Sequence, residues 1–196
     1  KEVSLTQALL RAQEYTDLAG ELPTQDVAVL RLLLAVLHAV FERVDAEGQP
    51  IRIESLGNAV RQWKSLWLLG RFPEQPVLDY LKKWHDRFWL FHPDRPFWQV
   101  PQAEIGTEYT AAKLNGELSE SGNKRRLFQT YAGKEKTEMT FGQAARWLIY
   151  VNGFDDTSAK PRQKGLPSTG AGWLGKLGLI QAVGHNLFET LMLNLT

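Results

Sequence analysis

Cysteine is absent from this chain of 196 residues. Without a thiol, the protein can form neither a disulfide framework nor a thiolate-ligated metal site, and its composition gives no support for secretion. A cytoplasmic location is therefore the default expectation.

An uninterrupted apolar run long enough for a membrane is also missing. The longest apolar stretch, residues 27–41, contains Arg31 and His38 and is shorter than the roughly 20 residues that a membrane span requires. Hydrophobic residues make up 43% of the chain, which is enough for a real core. The stretch is therefore predicted to be a buried helix.

Nucleotide-binding signals are incomplete as well. The sequence contains no Gly-x-x-x-x-Gly-Lys-Ser/Thr, and the Gly-x-Gly-x-x-Gly spacing of Gly170, Gly172 and Gly175 does not follow a predicted strand, which disfavours nucleotide hydrolysis. No internal repeat and no dividing linker is visible. We expect a single domain over residues 1–196 in the α+β class, mainly helical, with central helices, short strands and long irregular loops.

Helix signals are numerous. Ser4 with Gln7 and Thr140 with Gln143 have capping-box spacing, and Asn186 precedes an apolar run as a helix cap would. The predicted helices cover residues 4–19, stopped at Gly20, residues 23–41 as the central core helix, residues 56–69, a short segment over 77–84, residues 140–151, stopped near Gly153, and residues 187–195.

Strand signals are weaker. Residues 51–53 alternate in polarity, and residues 127–131 and 177–183 are further strand candidates. Residues 88–101 contain three prolines, which exclude a helix and predict an extended, aromatic-rich clamp. The tryptophans at 63, 67, 84, 89 and 98 are interpreted as core residues because leucines surround them.

Acidic residues are missing from residues 157–188, which hold six glycines and four cations: Lys160, Arg162, Lys164 and Lys176. Glycine lets another backbone approach closely, and clustered cations attract polyanions. Residues 121–196 carry ten Lys and Arg against five Asp and Glu, so this part of the chain is expected to meet anions. We call residues 157–188 the basic glycine segment.

A second basic run is Lys124, Arg125 and Arg126, followed by Leu127 and Phe128. Three cations beside an aromatic side chain can hold phosphates while the ring stacks on an unpaired base. The alternative is a solvated charge run next to a buried Phe128.

Histidines lie near carboxylates at three places. His185 and Glu189, four residues apart, could bind a metal, but without a third ligand nearby a local pair at the start of a helix is the simpler interpretation. His92 with Asp94 and His85 with Asp86 have the chemistry of an acid–base pair, although sequence neighbours rarely face each other. A hydrolase using His92 or His185 therefore ranks last, and we expect no cofactor, metal or enzymatic activity.

Residues 86–99 resemble a known sequence block. They match the pattern F-x-L-x-H-x-x-x-P-F-x-Q of the CasA family, the large subunit of the type I-E CRISPR Cascade surveillance complex. Residues 30–37, the glycine-rich basic stretch and residues 184–194 match in the family's order, so the resemblance covers nearly the whole chain.

The resemblance implies a function. It suggests a non-enzymatic, nucleic-acid-binding subunit of an antiviral defence complex in the prokaryotic cytoplasm, which contacts guide RNA and recognises the protospacer-adjacent motif in target double-stranded DNA. Its partners would be the other Cascade subunits, CRISPR guide RNA, target DNA and the helicase-nuclease recruited after target binding. The alternative is a protein-interaction scaffold that does not touch nucleic acid directly.

The resemblance also assigns sites. In the family a loop with an aromatic residue contacts the guide RNA, and a glycine loop approaches the motif in the DNA minor groove. Phe128 matches the family's aromatic residue, and Leu127 is the alternative match. The family's glycines are closer together than here, where residues 166–169 separate them. The implied guide-RNA residues are Lys124, Arg125, Arg126 and Phe128, and the implied DNA residues are Lys160, Arg162, Lys164, Gly165, Gly170, Gly172 and Lys176.

The family is longer than this chain. Its first short strand would precede Lys1, and its motif-reading lysine, glutamine wedge and C-terminal four-helix bundle would follow Thr196. The resemblance therefore implies an N-terminal portion of a larger subunit, with the C-terminal helix bundle absent.

Overall fold

The computed structural model describes residues 1–100, 108–116, 131–154, 172, 174, 175 and 178–195. These residues form seven α-helices: α1 (Leu5–Leu10), α2 (Pro23–Phe41), α3 (Leu56–Leu69), α4 (Glu74–Lys83), α5 (Ala111–Leu114), α6 (Phe141–Phe154) and α7 (Leu187–Asn194). Short 3-10 turns cover Ala12–Glu14, His85–Phe88 and Gly133–Lys136. The mainly helical architecture is confirmed.

The chain forms two compact units. The first contains Lys1–His85 and Ile180–Thr196, and the second contains Asp86–Leu179. The expectation of a single domain over residues 1–196 stays a prediction.

The strand component of the predicted fold is not confirmed. Residues 51–53 and 178–183 form no strand, and residues 127–130 lie outside the described part of the chain. Where residues are described, β-pairing is limited to one antiparallel bridge between Val44 and Pro50. The Asp45 carboxylate accepts from the Gln49 N–H at 2.7 Å and closes a turn at this bridge. Across the turn, the Ile51 N–H donates to the Arg43 carbonyl.

Helix α1 begins where the sequence predicts. The Ser4 hydroxyl accepts from the Gln7 N–H, and the Ser4 N–H donates to the Gln7 side chain, both at 3.2 Å. The predicted continuation to Gly20 is wrong, because the helix ends at Leu10. The chain turns so that the Tyr15 carbonyl accepts from the Leu187 N–H at 2.8 Å, and this tertiary hydrogen bond replaces a helical one.

Helix α2 is the predicted core helix of the first unit. Pro23 occupies its first turn, where a missing N–H costs nothing. It is long and apolar enough to cross a membrane, with a mean hydropathy of 1.6, but its apolar residues pack on α4 and α7. Its buried residues are Gln25, Ala28, Leu30, Leu33, Val36, Leu37, Val40 and Phe41.

Helix α3 has the bounds predicted for residues 56–69. Ser55 caps it by accepting from the Asn58 N–H at 3.2 Å, and Gly70, with φ +64°, ends it in the left-handed region. The Trp63 indole donates to the Met192 carbonyl of α7 at 2.8 Å. The Trp67 ring lies 6.3 Å from the Phe188 ring, so two aromatic side chains attach α3 to α7.

The second unit is built around α6. Thr140 and Gln143 form the predicted capping box: the Gln143 side chain accepts from the Thr140 N–H at 2.8 Å, and the Thr140 hydroxyl accepts from the Gln143 N–H at 3.2 Å. Trp147 and Ile149 are buried, and α5 packs against α6. The end of α6 at Phe154 agrees with the predicted stop near Gly153.

The aromatic block over residues 88–100 is a series of tight turns, so the predicted extended clamp is wrong. The Gln99 amide donates to the Leu90 carbonyl at 2.7 Å, and the Phe97 N–H donates to the Trp89 carbonyl at 3.0 Å. Trp89 and Trp98 are 51% and 42% exposed, which contradicts their assignment to the core. Pro93 and Pro96 lie in turns here rather than in extended chain.

Candidate nucleic-acid interface

Most of the predicted contact residues lie outside the described part of the chain. This holds for the guide-RNA residues Lys124, Arg125, Arg126 and Phe128, and for the DNA residues Lys160, Arg162, Lys164, Gly165, Gly170 and Lys176. Their roles stay predictions. Within the basic glycine segment, the structure does describe Gly172, Leu174, Gly175 and residues 178–188.

Gly172 packs directly on the backbone at the end of α6. A Cβ atom added at this position would lie 2.5 Å from the Gly153 carbonyl oxygen, 2.6 Å from the Gly153 carbonyl carbon and 2.8 Å from the Phe154 nitrogen. Backbone atoms cannot yield as a flexible side chain would, so only glycine fits. Close packing on α6 thus explains why residue 172 is a glycine, whereas its contact with DNA stays a prediction.

Hydrogen bonds fasten the residues after Gly172 to the same place. The Leu174 N–H donates to the Gly153 carbonyl at 2.7 Å, and the Gly175 N–H donates to the Gly172 carbonyl at 2.9 Å. The Leu174 side chain is 2% exposed. The last carbonyls of a helix have no partner within the helix, so Leu174 satisfies one of the free groups of α6.

Gly153, on the α6 side of this contact, also leaves room for only a glycine without adjustment of Leu174. A Cβ atom there would lie 3.1 Å from Leu174 Cδ1, tighter than ordinary van der Waals contact. In the sequence Gly153 indicates only a helix stop, and no pattern marks Leu174. A glycine in the last turn of an otherwise apolar helix was the signal that could have indicated close packing.

The last part of the basic glycine segment is held in the first unit by α7. The Asn194 amide donates to the Ala182 carbonyl at 2.7 Å, and its oxygen accepts from the Ala182 N–H at 3.1 Å. The Thr190 hydroxyl accepts from the Gly184 N–H at 3.0 Å. A Cβ atom on Gly184 would lie 2.3 Å from Glu189 Cβ and 2.9 Å from the Thr190 nitrogen, so this position also needs glycine.

His185 and Glu189 form the local pair favoured by their spacing. The Glu189 carboxylate accepts from the His185 N–H and lies 2.7 Å from His185 Nδ1. The hydrogen bond from the His185 backbone, followed by the one from its ring, lowers the pKa of Glu189. Within the residues that the structure describes, no group of three or more His, Asp or Glu side chains could hold a metal ion.

His92 has a structural role in the turns of the aromatic block. Its Nδ1 accepts from the backbone N–H groups of Asp94 and Arg95 at 3.2 and 3.1 Å. The ring also meets Trp89 edge-on, with centroids 5.5 Å apart. The lone pair that an acid–base catalyst would use is therefore occupied by the backbone, and Asp94 meets the His92 ring through its backbone N–H.

The chain is similar to proteins of the CRISPR-associated class. The sequence profile of "CRISPR-associated protein Cse1" matches residues 1–196. A curated relative, CasA/Cse1 of Thermus thermophilus, is 36% identical over 194 residues, covering 99% of this chain and 36% of the relative. The chain belongs to the Cse1 family, also called CasA.

Solved structures agree with the family assignment. The structure of Thermus thermophilus CasA (Cse1) is similar with a TM-score of 0.73 at 31% identity, over 99% of this chain and 35% of that one. Thermobifida fusca Cse1 gives 0.74 at 31% identity, over 100% and 35%. A chain of a "CRISPR RNA-guided surveillance complex" shares the fold, with a TM-score of 0.71 at 22% identity, over 98% and 38%. The chain spans about a third of the length of these relatives.

Proposed function

We propose that this chain is a non-enzymatic, nucleic-acid-binding part of the large subunit of a type I-E Cascade complex in the prokaryotic cytoplasm. It contacts CRISPR guide RNA and recognises the protospacer-adjacent motif in target double-stranded DNA. The observation that carries the proposal is the Cse1 family match over residues 1–196, with solved relatives of the same fold. The other Cascade subunits and a helicase-nuclease recruited after target binding are its partners.

The DNA contacts are assigned to the basic glycine segment. Lys160, Arg162, Lys164 and Lys176 neutralise phosphates, and Gly165, Gly170 and Gly172 allow the backbone to approach the groove. The absence of carboxylates over residues 157–188 supports this assignment, because like-charged repulsion with DNA is then missing. The guide-RNA contacts are assigned to Lys124, Arg125 and Arg126 for phosphates and Phe128 for a base.

Reconstitution tests the proposal. The chain is combined with the other Cascade subunits and a guide RNA, and binding to a target duplex is measured with and without it over a range of salt concentrations. The variant with alanine at Lys160, Arg162, Lys164 and Lys176 is expected to bind more weakly. Its plot of log affinity against log salt should be flatter by about 0.9 for each phosphate that the variant no longer neutralises.

A matched variant controls for net charge. Alanine at Arg61, Lys64, Lys82 and Lys83 removes the same number of lysines and arginines from exposed positions of α3 and α4. This control should keep the affinity and the salt slope. If the basic-segment variant behaves like the control, DNA contact by these cations is wrong. If, in addition, the chain's association with its partners survives nuclease treatment, a protein-interaction scaffold replaces the proposal.

A further inference from the structure

The second unit contains a cavity that the predicted nucleic-acid contacts do not involve. Its volume is about 500 Å³, within the range of about 300–1,000 Å³ that is typical of binding sites for small groups. Residues of the 3-10 turn Gly133–Lys136 and of the first half of α6 line it, and we call it the α6 cavity. Its walls combine aromatic, apolar and charged side chains: Trp147, Tyr131, Met139, Lys134, Glu135 and Glu138.

The apolar part of the α6 cavity contains a buried tryptophan. Trp147 is 5% exposed, and its ring meets the Tyr150 ring edge-on with centroids 5.3 Å apart. Thr140 and Gln143 also line the cavity, and their reciprocal hydrogen bonds at 2.8 and 3.2 Å fix the turn of α6 in which they lie. This wall is thus ordered before a ligand arrives, which lowers the cost of binding.

The charged part of the α6 cavity lies on backbone that is also held in place. The Glu135 N–H donates to the Ala132 carbonyl at 3.2 Å, and the Glu138 N–H donates to the Lys134 carbonyl at 2.9 Å. Both glutamates are exposed, and no ion pair between described residues involves either of them or Lys134. Two carboxylates and one ammonium leave an excess of negative charge, so the cavity attracts a cation.

This combination of side chains decides the class of ligand. A phosphate group would be repelled by Glu135 and Glu138, and an uncharged apolar group would remove water from both carboxylates without replacing it. Arginine suits both parts of the cavity. Its planar guanidinium donates two hydrogen bonds to a carboxylate and stacks on aromatic rings, while its methylene stem packs on apolar surface. Lysine has the charge and the stem but not the planar head.

We propose that the α6 cavity binds an arginine side chain of a partner protein. The guanidinium donates to the carboxylates of Glu135 and Glu138, and the stem and the face of the head pack against Trp147 and Met139. Arginine is enriched among the residues that carry most of the binding energy of protein interfaces. The cavity is therefore a protein-docking site. The identification of the partner as another Cascade subunit rests on the proposed function, whereas the recognition of arginine does not.

The first experiment tests recognition of arginine by the chain itself. The tryptophan indole nitrogens are isotope-labelled for NMR, the Trp147 resonance is assigned by its loss in Trp147→Phe, and Nα-acetyl-arginine N-methylamide is titrated. This probe should shift the Trp147 resonance saturably. The citrulline analogue, which keeps the shape but not the charge, should bind about tenfold more weakly. Equal binding of the two probes, or tighter binding of adenosine monophosphate than of the arginine probe, would overturn the proposal.

A pair of double variants assigns the binding to the α6 cavity. Glu135→Gln with Glu138→Gln removes both carboxylates of the cavity, while Glu74→Gln with Glu108→Gln removes two exposed carboxylates that do not line it. The affinity for the arginine probe should fall about tenfold in the first variant and stay within about twofold in the second. Equal losses would show that the probe responds to the net charge of the chain, and the proposed site would be wrong.

The second experiment tests docking in the reconstituted complex. The chain is titrated onto the other Cascade subunits loaded with guide RNA, at one salt concentration, and its dissociation constant is measured. The variant of Glu135 and Glu138 should bind about tenfold more weakly than the control variant of Glu74 and Glu108. If the unaltered chain associates and the two variants bind equally, the inference is wrong and the proposed function stands. If the unaltered chain does not associate, the proposed function is wrong, and the arginine titration decides the inference by itself.

Discussion

Helices α2 and α3 of the first unit both contain many apolar residues but have different surroundings. Eight residues of α2 are buried, whereas α3 buries only Leu66 and leaves Leu56 and Leu68 81% and 83% exposed. Helix α2 is stabilised by burial. Helix α3 depends more on its cap and on particular contacts with α7, so an apolar side chain on it is not evidence of a core position.

The largest expected effect compares one leucine from each helix. Leu37→Ala removes a fully buried side chain from α2 and should lower the free energy of unfolding by about 2–5 kcal/mol. Leu68→Ala on α3 should change it by about 0.5 kcal/mol or less. Urea unfolding followed by circular dichroism measures both. Equal losses would remove the distinction between the two helices.

Loss of a helix cap should destabilise α3, whereas α2 has no side-chain cap to lose. Ser55→Ala removes the hydroxyl that accepts from the Asn58 N–H and should destabilise the protein by about 1 kcal/mol. Helix α2 follows Leu22, whose side chain makes no capping hydrogen bond, so it has no equivalent group to lose. Ser65→Ala within α3 is the control, measured by the same urea unfolding. If the two serine variants are equally stable, the cap contributes nothing.

The tie between α3 and α7 is tested through the two tryptophans of α3. Trp63→Phe removes the indole donor from the Met192 carbonyl, which then accepts only from the Leu195 N–H at 3.2 Å, and should cost about 0.5–1.5 kcal/mol beyond the change in ring size. Trp67→Phe is the control, because it makes the same change in size without removing that hydrogen bond. Thermal unfolding should rank Trp63→Phe as the less stable. The reverse order would show that ring contacts rather than the hydrogen bond hold α3.

The smallest expected effect concerns the start of α7, on which both helices pack. The pKa of Glu189 is lowered from 4.5 by its hydrogen bonds to His185. The charged carboxylate therefore stabilises the folded state above about pH 4.5, and this contribution is lost as the pH falls through the lower folded-state pKa. Glu189→Gln should flatten the acid limb of a plot of unfolding free energy against pH. If the decrease of the unfolding free energy in acid is the same in Glu189→Gln, other carboxylates cause that decrease.

The sequence predicted the helix boundaries that local chemistry sets. Ser4, Thr140 and Asn186 cap helices α1, α6 and α7 through hydrogen bonds to residues three positions away, and such contacts are visible in the sequence itself. The bounds of α2 followed from Pro23 and the apolar run. These features need no knowledge of the tertiary structure.

The features that sequence reasoning missed are set by distant contacts. Helix α1 ends at Leu10, and the Tyr15 carbonyl beyond it accepts from the Leu187 N–H. The glycines at 172 and 184 are required by backbone that lies far along the chain or in the next helix. The prolines of the aromatic block exclude a helix, but they suit turns as well as extended chain, so they do not decide between the two. Of the candidate site, the charge pattern could be predicted from the sequence, whereas the contact among Gly153, Gly172 and Leu174 could not.

The stacked indoles of Trp63 and Trp67 give α3 an optical property that α2 lacks. Their ring centroids are 5.1 Å apart with an interplanar angle of 15°, close enough for the two transition dipoles to couple. Helix α2 contains no tryptophan. The pair should therefore add an exciton couplet to the far-ultraviolet circular dichroism spectrum. This couplet should vanish in Trp67→Phe, and its loss on unfolding would report the unfolding of α3 separately from that of the other helices.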